Sequence, residues 1–239
     1  MSELTEFRPR DRNWHPAADT PAYRSTTYRA PRRSLLAVPQ SIGELSGPVF
    51  GDTPLDPLGN DLIRNYATTG DAIGERIIVH GRVLDENERP IPGTLIEIWQ
   101  ANAGGKYRHV NDTYVAALDP NFGGCGRVIS DADGRYSFRT IRPGPYPFPN
   151  EGCDWRPAHI HLSIFGHAFV QRLVTQLYFE GDPLIPRCVI VNTIKDPKAI
   201  DSLIAKLDMD AMHAFDCLAY RFDIVLRGHQ ATYFEDRGS

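Results

Sequence analysis

Residues 146–161 constrain this chain more than any other stretch of its sequence. The segment ends in Arg-Pro-Ala-His-Ile-His, so His159 and His161 are separated by one residue. Side chains two positions apart on a β-strand point from the same face, and this spacing therefore predicts two imidazoles that project side by side from a sheet. Paired imidazoles are common metal ligands. The segment predicts a β-strand that carries a candidate metal site.

Two tyrosines upstream of the histidines complete a candidate ligand set. Tyr146 stands in the run Pro-Gly-Pro-Tyr-Pro-Phe-Pro, and Tyr107 follows Gly-Gly-Lys in an earlier loop. A phenol keeps its proton up to about pH 10 in water, so it binds metal well only where a strongly Lewis-acidic ion displaces that proton. Zinc would more often recruit cysteine or a carboxylate. We therefore expect one Fe(III) per chain, bound by Tyr107, Tyr146, His159 and His161.

Each of these residues has a plainer interpretation when taken alone. The two histidines could be ordinary half-buried residues of a strand, and Tyr146 could be a loop aromatic packed on the core. A cupin-type iron site also uses His-x-His, but it needs a glutamate and a third histidine downstream. Glu180 is available, yet the next histidine after His167 is His213, in a predicted helix. The ordered combination of four residues favours the tyrosine–histidine site.

Composition and charge narrow the class of protein further. The chain has 239 residues, of which 41% are hydrophobic and 23% charged, which is enough apolar content for a sizeable core. A net charge of -4 argues against a nucleic-acid partner, which would call for a basic patch. No apolar stretch is long enough to span a bilayer. The apolar run after Arg32 and Arg33 is too short for a signal sequence, so we expect a cytoplasmic protein.

Residues 1–50 differ in character from the remainder of the chain. They lack clear periodicity and combine prolines with seven arginines, a composition that would suit a mobile basic tail. They also contain apolar anchors, namely Trp14, Tyr23, Tyr28, Leu35 and Leu36. These anchors favour an extended N-terminal arm that lies on a partner subunit. We therefore divide the chain into an arm, residues 1–50, and a main domain, residues 51–239.

The main domain is predicted to be mainly β, with an antiparallel β-sandwich core, long loops and one or two short helices. Strands are predicted at residues 76–84, 94–100, 135–139, 159–165, 173–179 and 220–226. A short helix is predicted near residues 57–66. A second helix is predicted to begin at Asp196 and Pro197, with Ile200, Leu203, Ile204 and Leu207 on one face.

Four short motifs carry a resemblance to a known family. They are Trp-Gln-Ala-Asn at residues 99–102, Tyr107, Pro-Tyr-Pro at residues 145–147 and Asp-Trp-Arg-Pro-Ala-His-Ile-His at residues 154–161. With them the chain resembles the intradiol ring-cleaving dioxygenases over nearly its whole length. Some members of this family are built from an α chain and a β chain, and the chain most resembles their iron-bearing β chain. The resemblance implies a non-haem Fe(III) enzyme, residues 51–239 being the catalytic domain, that cleaves a catechol with O2 between its hydroxyl-bearing carbons.

The resemblance also implies how the four ligands are arranged and what the partner is. Tyr107 and His159 would be equatorial ligands, and Tyr146 and His161 axial ones. Tyr146 would leave the iron when a catechol binds and take one of its protons. An α chain that lacks the iron ligands would help to complete the substrate pocket. We therefore expect a hetero-oligomer of repeated αβ units, with no nucleic-acid or membrane partner.

Two further residues are expected to act beside the metal. Arg156 would stabilise negative charge that develops on the substrate ring, although a structural salt bridge is the ordinary role of such an arginine. Gln176 would orient Arg156 or groups derived from oxygen, although it could simply be a polar residue of the sheet. Arg156 precedes the histidine strand, and Gln176 lies on the strand that follows it.

The resemblance also implies three residues that contact the substrate, namely Tyr23, Phe148 and Ile190. Phe148 stands where this family often has tryptophan, so an aromatic wall is kept while an N–H donor is lost. The expected substrate is 3,4-dihydroxybenzoate, and another anionic catechol such as 4-sulfocatechol would fit comparably well. A non-catalytic sandwich of transthyretin-like type is the competing class. It would suit the turn and strand at residues 133–138 equally well, but it would leave the four ligands as unrelated packing residues.

Overall fold

The computed structural model describes residues 17–31, 54–85, 87–150, 152–165 and 172–226. Within these ranges the chain forms eleven strands and two short α-helices. The helices are α1 Ser25–Arg29 and α2 Pro197–Asp201. The strands are β1 Arg76–Leu84, β2 Leu95–Gln100, β3 Cys125–Ile129, β4 Arg135–Ile141, β5 Tyr146–Asn150, β6 Gly152–Arg156, β7 His159–Phe165, β8 Arg172–Phe179, β9 Ile204–Leu207, β10 Leu218–Arg221 and β11 Ile224–Val225.

Nine of these strands belong to one hydrogen-bonded system. Its order is β11-β1-β10-β9-β8-β7-β2-β3, with β4 paired to the other side of β1. Most pairs are antiparallel, but β1 pairs in parallel with β10 and β11, and β8 pairs in parallel with β9. Strands β5 and β6 form a separate hairpin. Pro147 and Pro149 of β5 have no N–H to donate, which disfavours a further strand beside β5.

One hydrophobic core lies between the two halves of the system. Alternate residues of β1, including Ile77 and Val79, are fully buried, as are Phe138 of β4, Ile98 of β2 and Leu162 of β7. All of them belong to a single cluster. Since β1 and β4 are not neighbours of β2 and β7 along the sheet, a shared core means that the two halves face one another. The predicted mainly β sandwich is confirmed.

The predicted helix near residues 57–66 is wrong. These residues form successive turns that place Leu62 and Ile63 in the core. The side chain of Asp56 accepts the N–H of Leu58 at 2.8 Å, and that of Asp61 accepts the N–H of Ile63 at 3.1 Å. Short carboxylate side chains compete in this way for the N–H groups that a helix would use.

The second predicted helix begins as expected but ends early. The Asp196 side chain caps α2 by accepting the N–H of Lys198 at 2.8 Å. The helix ends at Asp201, and Ile204 and Leu207 bound strand β9 instead of extending a helical face. Pairing of β9 with β8 and β10 overrides the helical periodicity.

The strand predicted at residues 220–226 is two strands, β10 and β11, and both pair with β1. The break between β10 and β11 lies against Gly81 of β1. A Cβ on residue 81 would lie 1.9 Å from the carbonyl oxygen of Phe222. Strand β3 and the β5–β6 hairpin were not predicted. In the described part of the chain, no helix has the length and apolar character needed to cross a bilayer.

The structure describes only residues 17–31 of the predicted arm. Trp14, Leu35 and Leu36 lie outside the described residues. The division of the chain near residue 50 therefore stays a prediction.

Candidate metal centre

Strand β7 supplies both histidines from one face, as their spacing predicted. His159 and His161 are two residues apart on β7, and their rings lie 4.9 Å apart. His159 Nδ1 donates to the carbonyl oxygen of Pro157 at 2.7 Å, which leaves Nε2 as the free nitrogen. The ring of Trp99, opposite His161 on β2, stacks on the His161 imidazole at 4.8 Å with an angle of 7° between the planes. Both imidazoles are therefore held in fixed orientations.

The two tyrosines bring their phenol oxygens to the same place. Tyr107 Oη lies 3.1 Å from His161 Nε2 and 3.5 Å from His159 Nε2. Tyr146 Oη lies 3.3 Å from His159 Nε2. Donor atoms that share one metal ion, at bonds of about 2 Å and angles of about 90–120°, lie about 3–3.5 Å apart. The spacing of the four side chains fits a single ion.

Two glycines allow the tyrosine-bearing loops to touch. Gly105 has φ 79°, and a Cβ there would lie 2.3 Å from the carbonyl oxygen of Pro145 and 3.1 Å from Tyr146 Cβ. A Cβ on Gly144 would lie 2.3 Å from the carbonyl oxygen of Ala103. The backbones around Tyr107 and Tyr146 are thus in direct contact, and the two rings meet edge to face at 5.5 Å.

Gly105→Ala is expected to separate the two tyrosines and to weaken metal binding by about 10-fold or more, because both loops must move to admit the methyl group. The matched control is Gly181→Ala. Gly181 also has φ 79°, but nothing lies within 4 Å of the position that its added methyl group would take, so that variant carries the left-handed strain alone, about 1–2 kcal/mol. Release of metal to a chelator would measure the difference. Equal release rates in the two variants would contradict the role given to this contact.

Burial sets the protonation of all four groups when no metal is bound. It raises the pKa of the Tyr107 phenol, with a further contribution from Tyr146, and it also raises the pKa of Tyr146. Burial lowers the pKa of His159 well below its ordinary range. Burial and the Arg156 cation lower the pKa of His161 to about 3. The imidazoles are therefore unprotonated and ready to bind metal, whereas the phenols require a strongly charged cation to displace their protons.

Arg156 lies beside the histidines and is 5% exposed. Its Nη2 donates to Gln176 Oε1 and, at 3.2 Å, to Tyr178 Oη, and Tyr178 in turn donates to Gln176 at 3.0 Å. Among the described residues these partners of Arg156 are both neutral, and its buried Nε has no hydrogen-bond partner. A buried cation without a counter-charge is costly. The geometry therefore favours an anion in the site over a structural salt bridge.

Tyr178 was missed in the sequence. It lies on β8 opposite His159, as Gln176 lies opposite His161, so the alternation of β8 would have placed it beside Gln176. Burial raises the pKa of its phenol to about 12. The ring packs in a second hydrophobic cluster against which Ile190 also packs.

The arm reaches the site through the β5–β6 hairpin. The ring of Tyr23 meets that of Phe148 at 5.9 Å, edge to face. Asn150, at the end of β5, accepts the N–H of Arg24 at 2.9 Å and donates to the carbonyl oxygen of Ala22 at 2.8 Å. Tyr23 and Phe148, two of the three residues expected to contact substrate, are therefore adjacent. Their substrate contacts, and that of Ile190, stay predictions.

A second group of potential ligands lies elsewhere, at His213, Asp216 and Cys217. His213 was predicted in a helix, but it forms a bridge with Cys217 across a tight turn. The two carboxylate oxygens of Asp216 each lie 3.1 Å from an arginine, Arg76 or Arg139. The carboxylate of Asp216 is already paired with two arginine side chains, which disfavours a metal ion there.

The sandwich and the buried tyrosine–histidine cluster together define a mainly β protein with a candidate metal site. Residues 45–228 match the model of the Dioxygenase family, and residues 8–41 match that of the protocatechuate 3,4-dioxygenase beta subunit N terminal. The chain therefore belongs to the intradiol dioxygenase family. The prediction of an intradiol dioxygenase is confirmed, and the transthyretin-like alternative is set aside.

Individual relatives agree with this assignment. The protocatechuate 3,4-dioxygenase beta chain of Burkholderia cepacia is 47% identical over 235 residues, which are 98% of this chain and 100% of the relative. The protocatechuate 3,4-dioxygenase alpha chain of Pseudomonas putida is 32% identical over 207 residues, which are 83% of this chain and 97% of the relative. The structure of 3-chlorocatechol 1,2-dioxygenase from Rhodococcus opacus 1CP superposes with a TM-score of 0.54 at 27% identity, over 72% of this chain and 69% of that one.

Proposed function

We propose that this chain is the iron-bearing β chain of a protocatechuate 3,4-dioxygenase. It would cleave protocatechuate, which is 3,4-dihydroxybenzoate, with O2 to 3-carboxy-cis,cis-muconate in the β-ketoadipate pathway of aromatic catabolism. The observation that carries the proposal is the convergence of Tyr107, Tyr146, His159 and His161 within 3.1–3.5 Å contacts. The substrate rests on the beta-chain relative, which is 47% identical over its whole length.

The donor set supports Fe(III) as the cofactor, one ion per chain. Two phenol oxygens and two imidazole nitrogens suit a hard, highly charged cation better than they suit zinc. Bound Fe(III) would supply the Lewis acidity that keeps both phenols, and an entering catechol, deprotonated. Tyr107, Tyr146, His159 and His161 would hold the ion.

Tyr146 is the residue that we assign as the base for substrate binding. A catechol must lose two protons to bind as a dianion. The Tyr146 Oη, as a phenolate, would accept one of them, because burial raises the pKa of this phenol, and a hydroxide ion would accept the other. Pro145 and Pro147 flank Tyr146 and restrict where its backbone can carry the ring. Tyr107, in a loop pressed against residues 144–146, would stay in place.

Tyr146→Phe is expected to retain metal but to slow catechol binding by about 100-fold, since a general base contributes about 10²–10⁴-fold. Stopped-flow measurement of catechol binding to the metal-loaded variant would give the rate. Tyr136→Phe is the control, because Tyr136 is buried, and its hydroxyl donates to the carbonyl oxygen of Phe222 outside the site. Binding at the wild-type rate in Tyr146→Phe would show that Tyr146 is not the base.

Arg156 would stabilise the negative charge of the bound catecholate. Its guanidinium is buried and is held by Gln176 and Tyr178, so little reorganisation is needed when charge develops on the ring. The contact with the Gln176 side chain supports the orienting role expected for that residue.

The substituent of the ring would be recognised by Tyr23, Phe148 and Ile190 together with the α chain. The guanidinium of Arg29 lies 5.0 Å from the centre of the Tyr23 ring, so positive charge stands beside this part of the arm. An anionic substituent suits that surrounding. A carboxylate gives protocatechuate, and a sulfonate gives the alternative, 4-sulfocatechol.

A partner chain is proposed beside the site. The alpha-chain relative matches this chain over 97% of its own length, so two kinds of chain share this sequence pattern. Val110 and Val115, in the loop that follows Tyr107, are 95% and 94% exposed, and Trp155 of the hairpin is also exposed. A facing α chain would cover this apolar surface. We infer a cytoplasmic hetero-oligomer of αβ units without nucleic-acid or membrane partners.

Oxygen uptake by the enzyme, produced together with its α chain, tests this function. Protocatechuate, 4-sulfocatechol and unsubstituted catechol are compared, and the ring-cleavage product is identified by mass. The proposal predicts 3-carboxy-cis,cis-muconate and a kcat/KM at least about 10-fold higher for protocatechuate, since discrimination by buried polar contacts is large. A higher kcat/KM for 4-sulfocatechol would identify that compound, and not protocatechuate, as the substrate. Full activity of a monomeric β chain on unsubstituted catechol would contradict both the substrate and the assembly.

A further inference from the structure

The loop that carries Tyr107 is closed by a largely buried ion pair. Lys106 Nζ lies 3.2 Å from Asp112 Oδ1, and the two side chains are 12% and 14% exposed. The same ammonium group donates to the carbonyl oxygen of Asp112 at 2.9 Å and to that of Tyr114. All three hydrogens of the ammonium group can therefore be used inside one loop.

The Asp112 carboxylate binds the backbone of the candidate ligand itself. Its Oδ2 accepts the N–H of Tyr107 at 2.7 Å, and its Oδ1 accepts the N–H of Tyr114 at 2.8 Å. Hydrogen bonds to an ionised acceptor are the stronger kind. The backbone N–H of Tyr107 is thus held by a direct hydrogen bond to a charged side chain.

The same loop is tied to the hairpin that carries Tyr146. The Tyr114 ring meets the Trp155 ring edge to face at 6.4 Å. Trp155 pairs across the hairpin with Pro147, which follows Tyr146 directly. A shift of the loop would therefore be transmitted to both tyrosines.

We propose that Lys106 and Asp112 are positioning residues, which hold Tyr107 where its phenol oxygen can bind the metal and thereby set the strength of that bond. The proposal rests on the proposed metal site. It concerns the backbone of residues 106–114, through which both side chains would act on Tyr107. An ion pair that only stabilised the loop would affect unfolding and leave the metal–tyrosine bond unchanged.

Asp112→Asn is the most direct variant. The amide has nearly the same shape as the carboxylate, but its NH2 group must face at least one of three donors that Asp112 now accepts. Loss of outer-shell support typically costs about 10–100-fold in metal affinity. We expect iron release to a chelator to be about 10-fold faster or more, with a shift of the tyrosinate charge-transfer band. Both are measured on resting enzyme, without turnover.

Lys106→Met covers the possibility that Asp112→Asn does not fold. It removes the cation but keeps the bond from the Tyr107 N–H to Asp112, so a smaller change in the same direction is expected. Asp131→Asn is the matched control, because Asp131 also accepts two backbone N–H groups, those of Asp133 and Arg135, in an exposed turn. It should leave both the band and the rate of iron release at wild-type values.

Hydrogen–deuterium exchange of the metal-free proteins tests the positioning role of Lys106 and Asp112 without iron. Asp112→Asn should exchange faster than wild type and Asp131→Asn in peptides that cover residues 103–115. Unchanged exchange there, or a folded Asp112→Asn variant with the wild-type band and release rate, would overturn the proposal. A colourless, iron-free wild type would refute the proposed function, and the exchange experiment would still decide the role of the ion pair in holding the loop.

Discussion

His161→Ala is expected to remove both the visible colour and the turnover of the enzyme. The substitution deletes a nitrogen that lies 3.1 Å from the Tyr107 phenol oxygen, and with it the stacked partner of Trp99. Loss of a direct ligand should exceed the roughly 10–100-fold cost in affinity of losing an outer-shell partner. Metal analysis of the purified variant, its visible spectrum and its oxygen uptake with protocatechuate would measure the effect.

His213→Ala is the matched control for this experiment. His213 is exposed and belongs to the other group of potential ligands in the described part of the chain, beside Asp216 and Cys217. It should keep wild-type iron content, colour and rate. Loss of iron from His213→Ala, with retention of iron in His161→Ala, would place the metal at His213, Asp216 and Cys217 and would contradict the proposed site.

Arg156→Gln is expected to keep the iron and to lower kcat by about 100-fold or more, the effect of removing one preorganised electrostatic group. Arg156 is buried, and its hydrogen-bond partners in the described structure are the neutral side chains of Gln176 and Tyr178, so its charge is available to an anionic substrate. Arg156→Lys should recover only part of the rate, because an ammonium group cannot reproduce the planar contacts to Gln176 and Tyr178. Single-turnover kinetics with protocatechuate would separate binding from chemistry.

Arg139→Gln serves as the control for the Arg156 variants. Arg139 is half-buried on β4 and forms ion pairs with Asp61 and Asp216, so its charge is already paired outside the candidate site. Its rate should stay at the wild-type value. A wild-type rate in Arg156→Gln would show that the buried guanidinium serves the fold and not the reaction.

The part of the site that lies on one strand could be predicted from the sequence. His159 and His161 follow the two-residue period of β7, so their common face depends only on local backbone geometry. The same period placed Tyr136 and Phe138 of β4 in the core. In these two strands the two-residue repeat was enough to place the side chains on a common face.

Contacts between loops could not be predicted in this way. The approach of Gly105 to Pro145 joins segments 40 residues apart, and the bond from Tyr107 to the Asp112 side chain depends on how that loop closes. Neither leaves a periodic signal. The wrong helix near residues 57–66 has a related cause, because the side chains of Asp56 and Asp61 took the N–H groups that a helix would have used.

A visible spectrum of the purified enzyme, combined with elemental analysis, tests the central claim most directly. If Tyr107, Tyr146, His159 and His161 bind Fe(III), the protein contains one iron per chain and shows a tyrosinate-to-iron charge-transfer band, which is weakened in Tyr107→Phe. A colourless protein that contains stoichiometric zinc and no iron would contradict the account.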